Sequence, residues 1–173
     1  MSTQISQQNL KELYDKDFYL WIQKNIELLK SKNFDAVDWI NLIEELEDMG
    51  RSELRKMINF MTIILEHLYK WEHFRIHKNM GNDWVRSIIH ARLQLNDLFD
   101  DNPSLKVQSK DELQKAWNKA INHLISWFEK PENIPLAKKI FGKIPSQNDF
   151  PNNCPYSYQQ ILDYKPWIKE LDK

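Results

Sequence analysis

Glycine is nearly absent. Only three occur in 173 residues, too few to furnish the phosphate-cradling loops of nucleotide-binding proteins, and no P-loop, G-x-G-x-x-G or G-x-S-x-G pattern is present. A nucleotide cofactor is therefore not expected, and no other cofactor is implied. The single cysteine, Cys154, excludes an intrachain disulfide and a multi-cysteine zinc site, which points to a reducing, cytoplasmic setting. With a net charge of −1 the chain lacks the global electrostatic footprint of a nucleic-acid binder or an anionic-membrane binder. The N-terminal MSTQISQQNLKEL has no apolar signal-peptide core. No apolar run approaches the ~20 residues of a bilayer span, so no membrane association is expected. The most apolar stretch, residues 58–68, is broken by Asn59, Thr62, Glu66 and His67, the pattern of a helix buried on several sides.

Long helical periodicities fill the space that glycine and proline leave. Asp15 or Asp17 can cap a first helix with Phe18, Trp21, Ile22, Ile26 and Leu29 on one face. Asp35 can cap a second, on which Trp39, Leu42, Ile43, Leu46 and Met49 share a side while Asn41, Glu45 and Asp48 point away. Gly50 either ends that helix or is carried within a longer one. A third run passes through Leu54, Met57, Met61, Leu65, Leu68 and Trp71 toward Ile76. Asp83 can start a fourth, carrying Trp84, Val85, Ile88, Leu95 and Phe99. Ser109 with Glu112 reads as a capping box for a fifth, which Pro131 stops. Five more prolines follow Pro131, so only short helices are expected beyond it, near 136–141 and 157–163. The expected architecture is a single all-α domain over residues 13–173, preceded by a flexible tail over 1–12. It is a bundle of about five principal helices with residues 131–173 as an irregular C-terminal arm packed on it.

Several segments in order are similar to one family. LYDKDFYLW (13–21), NLIEELEDMGRSE (41–53), LEHLYKW (65–71), the Trp84, Ile88, Arg92 spacing, NPSL (102–105) and FPNNCPYSYQQILD (150–163) resemble the DUF29 family over roughly 13–163. The resemblance implies a helical bacterial protein of unassigned activity. It also implies more arginine around the fourth helix than this chain has, since His90 and Gln94 stand there.

Candidate chemistry is sparse. Arg92 falls inside the apolar stripe of the fourth helix, and a buried guanidinium requires carboxylate or carbonyl partners. Glu44, Glu47 and Asp48 are the nearest by type, Glu47 beside Ile43 and Asp48 pointing away from the apolar face. They make either a buried ion pair that fixes helix packing or a weak catalytic or anion-binding site of Glu44, Glu47 and Arg92. No metal site is expected, the weak candidates being Glu66, His73 and His77, which would share a stripe if the third helix reached residue 77. That stripe also carries Lys70, and neither a paired Glu-x-x-His nor an H-E-x-x-H is present. Cys154 has no base arranged beside it and reads as a small hydrophobe. Lysines across 106–119 and 135–143, with Trp117, Trp127 and Phe141, make a nucleic-acid surface conceivable, but the aromatic spacing favours core packing. The reading favoured from sequence is a small non-catalytic interaction or regulatory protein that meets an unidentified protein partner or self-associates. The alternatives are a helical hydrolase or nucleic-acid-processing enzyme and a nucleic-acid-binding module.

Overall fold

Every extended regular element in the computed structural model is helical, and no strand occurs among the described residues, which are 7–168 for the backbone and 10–168 for the side chains. Eight α-helices are described: α1 (Gln7–Lys16), α2 (Phe18–Lys30), α3 (Trp39–His73), α4 (Asn82–Asp101), α5 (Pro103–Gln108), α6 (Leu113–Phe128), α7 (Ile134–Phe141) and α8 (Tyr158–Asp163). The all-α class read from periodicity is what the chain adopts. No helix among the described residues is long and apolar enough to cross a membrane. The chain divides into two compact units, Met1–Glu53 and Leu54–Lys173. Residues 7–12, expected in the tail, belong to α1, whose Leu10 is buried; residues 1–6 and 169–173 lie outside the described residues.

In the first unit Asp17 caps α2 by accepting the Leu20 amide at 3.0 Å. Trp21 is buried, and its indole N–H donates to Asp38 Oδ2 at 3.1 Å. The Asn41 side chain donates to the same oxygen at 2.7 Å, and the Asp38 amide donates to Asn25 Oδ1 at 3.0 Å. This buried polar staple fixes the chain where it enters α3. Asp35, expected to start that helix, sits instead in a 3₁₀ turn (Phe34–Ala36) ahead of it. Of the two readings open at Gly50, continuation is the one observed, since α3 passes through it without a break. A mid-helix glycine costs roughly 1 kcal/mol relative to alanine, which tertiary contacts elsewhere in a long helix offset.

The second unit is built on a continuous apolar core. Met57, Met61, Ile64, Leu65 and Leu68 of α3 pack with Ile88, Leu95 and Phe99 of α4 and with Trp117, Leu124 and Phe128 of α6. Gly81 introduces α4 at φ 101, and a Cβ there would lie 2.9 Å from the Trp71 ring and 3.0 Å from the Trp84 ring. Only glycine fits between those indoles in that backbone conformation. α3 stops at His73, short of the expected Ile76. The expected capping box at Ser109 is not formed. Ser109 ends α5, where its hydroxyl donates to the Lys106 carbonyl at 2.7 Å and also meets the Tyr158 hydroxyl at 2.7 Å, and α6 begins at Leu113 without a side-chain cap. Past Pro131, α7 and α8 match the two short helices expected there, α8 opening on a capping box of Ser157 and Gln160. The arm buries Phe150, Tyr156 and Ile161 in the core, and the Trp117 indole donates to the Pro151 carbonyl at 2.8 Å.

Candidate functional site

Arg92 is buried, with 7% of its surface exposed, as its stripe position requires. Its partners are main-chain carbonyls: Nε donates to Ile161 at 2.7 Å, and Nη2 donates to Gln160 at 3.0 Å and to Tyr164 at 2.9 Å. Those carbonyls lie in and just after the last turn of α8; that of Gln160 also accepts the Tyr164 amide at 3.1 Å, so Arg92 shares it and supplies a donor to the other two. They take the place of the carboxylate partner expected for this residue. Burial pulls the guanidinium down to about 10, countered in part by Asp163, and leaves it protonated at neutral pH. Arg92 therefore acts as a C-cap supplied in trans, locking the arm to α4. Glu72 works beside it, accepting from Tyr156 at 2.6 Å and from Tyr164 at 2.7 Å. The bond to Glu72 pushes the Tyr164 phenol up to about 12.

Glu44 and Glu47 are exposed, and Glu47 accepts from Arg51 at 3.1 Å. Asp48 pairs with the same arginine at 2.6 Å. The cluster of Glu44, Glu47 and Arg92 considered from sequence is thus replaced by separate arrangements. Glu45, expected to point into solvent, is half-buried and accepts from Tyr14 at 2.6 Å, which raises that phenol to about 12.

The three residues weighed for metal binding also separate. His77 lies in a bend beyond the end of α3, and the His73 ring lies tilted against Tyr69 at 4.1 Å between ring centroids. Among the described residues no group of three His, Cys, Asp or Glu is placed to hold a metal ion. Cys154 is half-buried, its thiol pushed up by burial, the opposite of what a nucleophile needs. Trp117 is fully buried and Phe141 packs against the core, so neither ring is free to stack on a base.

Glu66 instead belongs to an open, surface-facing cavity of about 460 Å³ in the second unit, lined by Glu66, His67, Lys70, Trp84, His123, Ser126, Trp127 and Lys130. On α3, Glu66 and Lys70 are one turn apart and form an ion pair at 2.5 Å, with only 3% of the Lys70 side chain exposed. The Lys70 ammonium also lies 4.7 Å from the centre of the Trp127 ring. The other Glu66 oxygen meets His123 Nδ1 of α6 at 3.0 Å. Burial raises Glu66, but the charge and hydrogen bond of Lys70, helped by His67 and His123, outweigh it and hold the carboxyl below its usual range. Lys70 is lowered by burial and by the like charge of Lys130, against the pull of Glu66. Burial drops His67 to about 4, and its Nδ1 is buried with no hydrogen-bond partner. The sequence shows Glu66 and Lys70 as a helical pair, whereas His123, Trp84 and Lys130 reach the same place only through the packing of α3, α4 and α6.

The model of the family described as "Domain of unknown function DUF29" matches residues 13–167, nearly the whole chain, and the chain belongs to that family. No curated protein matches it. No solved structure matches it.

Proposed function

We propose that this DUF29 protein is a non-catalytic interaction protein whose first unit receives a basic amphipathic helix of a partner protein along α3. The observation that carries the reading is an exposed apolar stripe at helical spacing: Ile40, Leu46 and Met49 are 68%, 59% and 65% exposed, and Trp39 and Ile43 are exposed with them. A row of this kind, presented at i, i+3, i+4 and i+7, is the surface that helix-in-groove recognition uses. Its borders are acidic. Residues 44–48 contribute four carboxylates, and Arg51 is the first cation to follow them along α3. Lysine and arginine flanking an apolar helix complement that border, whereas a second copy of α3 would bring Glu47 and its neighbours against like charges. The enzyme reading loses the cluster it required, because Arg92 is held by carbonyls and Glu47 by Arg51. A nucleic-acid partner would meet carboxylates at this stripe.

A synthetic amphipathic peptide with leucine on one face and lysine on the other tests the proposal by calorimetric titration. Binding of about micromolar strength that weakens as salt is raised, and its absence for the same peptide carrying glutamate in place of lysine, are the expected results. Leu46→Asp should abolish the binding while the circular dichroism spectrum stays unchanged. Equal binding of both peptides, no binding of either, or sedimentation of the protein alone as a concentration-dependent dimer would overturn it.

A further inference from the structure

The cavity between α3, α4 and α6 is built at a cost that packing alone does not explain. A lysine ammonium buried to this extent is destabilising unless paired, and apolar residues of the same volume would pack there without that penalty. Its one carboxylate partner, Glu66, is shared with His123. An ammonium has three N–H donors, and Glu66 takes one of them from Lys70. The Trp127 face contributes attraction without accepting a conventional hydrogen bond. Lys70 therefore lines the cavity with donor capacity to spare. Lys130 is near enough to depress Lys70 and contributes a second cation, while His67 is neutral at neutral pH. Two ammonium groups against one carboxylate leave a single positive charge to be matched. The large apolar surfaces among its lining residues are the Trp84 and Trp127 rings, which meet edge to face at 5.9 Å. A space of about 460 Å³ is of the size that holds a small organic ligand.

We infer that this cavity binds a small organic monoanion, a carboxylate taken by Lys70 and Lys130 whose flat apolar body lies against the tryptophan walls. A dianionic phosphate is disfavoured, because its second charge would face the Glu66 carboxylate. An organic cation meets two like charges. Ser126 also lines the cavity, and its hydroxyl can donate to the second carboxylate oxygen.

Saturation-transfer NMR and calorimetry with benzoate, phenyl phosphate and benzamidine decide the matter, using the full chain. Benzoate should bind saturably, phenyl phosphate about tenfold more weakly, and benzamidine not at all. Lys130→Ala, an exposed change that leaves the fold intact, should weaken benzoate about three- to tenfold. Lys70→Met should remove binding, and Trp84→Leu should weaken benzoate more than it weakens acetate, which has no body to cover the ring. The inference is overturned if benzoate fails to bind, if benzamidine binds as well, or if Lys130→Ala leaves the benzoate affinity unchanged. Because these residues all belong to the second unit, the Lys-peptide titration of the first unit stands or falls separately.

Discussion

Two acid–base pairs on α3 have the same spacing and opposite surroundings. Glu47 and Arg51, in the first unit, sit one turn apart with both side chains at least half exposed; Glu66 and Lys70, in the second, sit one turn apart with both nearly enclosed. At the surface, water and salt screen such a pair, and holding two long side chains in register offsets much of the gain, so it contributes a few tenths of a kcal/mol. In the interior each ion has given up its hydration, and the pair is tolerable only while it remains a pair. The contrast extends beyond these residues. In the first unit Glu44, Glu47 and Asp48 decorate a helix, whereas in the second Arg92, Glu66 and Lys70 are each committed to a geometry.

The most direct way to break the contrast is Glu66→Ala, which leaves a buried ammonium without its counterion and should lower unfolding free energy by ~3–5 kcal/mol in urea titrations at neutral pH. A loss as small as that of a surface pair would remove the distinction. Acid titration sharpens it. His67 is held neutral by burial, with a pKa of about 4 against an ordinary 6.5, so the unfolded chain takes up the proton first. Stability is then undiminished above the ordinary value, declines as pH falls through that window, and loses nothing further from this group below it, a total of about 3 kcal/mol. His67→Leu should flatten the urea midpoint across the same range, since its Nδ1 has no partner to lose. Arg92→Leu should cost about 2 kcal/mol by leaving the Ile161 and Tyr164 carbonyls at the end of α8 against an apolar neighbour, while that of Gln160 keeps the Tyr164 amide. Its signature is local: hydrogen exchange at the amides of Ile161 and Tyr164 should accelerate before that of α6. At the small end, Glu47→Ala should change stability by less than about 0.5 kcal/mol and its effect should fade in salt.

Periodicity carried most of the helical reading because it depends only on neighbours three and four residues away. It failed where a distant group decided the outcome. Ser109 satisfies the local rule for starting a helix, yet its hydroxyl is engaged by the carbonyl behind it and by Tyr158, 49 positions later, so the box never forms. The burial of Arg92 was legible from its place among Ile88, Leu95 and Phe99, but its partners were not, since every residue carries a carbonyl and none advertises which will be left open. Glu66 was visible as a candidate, and Lys70 as a neighbour on its stripe. Spacing alone groups both with His73 and His77 on one stripe, because it does not reveal that α3 stops at His73 or that His123 arrives from 57 residues away.

The order in which the chain is made gives the arm a particular role. Glu72 waits for Tyr156 and Tyr164, 84 and 92 residues further on, and Arg92 waits for carbonyls 68 to 72 residues away. Closing loops of that length is slow and entropically costly, so these contacts belong to the last stage of assembly. A nascent chain that has already formed α3, α4 and α6 still presents the groove that Ile161 will fill, together with an arginine and a glutamate lacking their acceptors and donors. Docking of α8 is the event that seals the second unit, and a ribosome stalled before Tyr156 would display it unsealed.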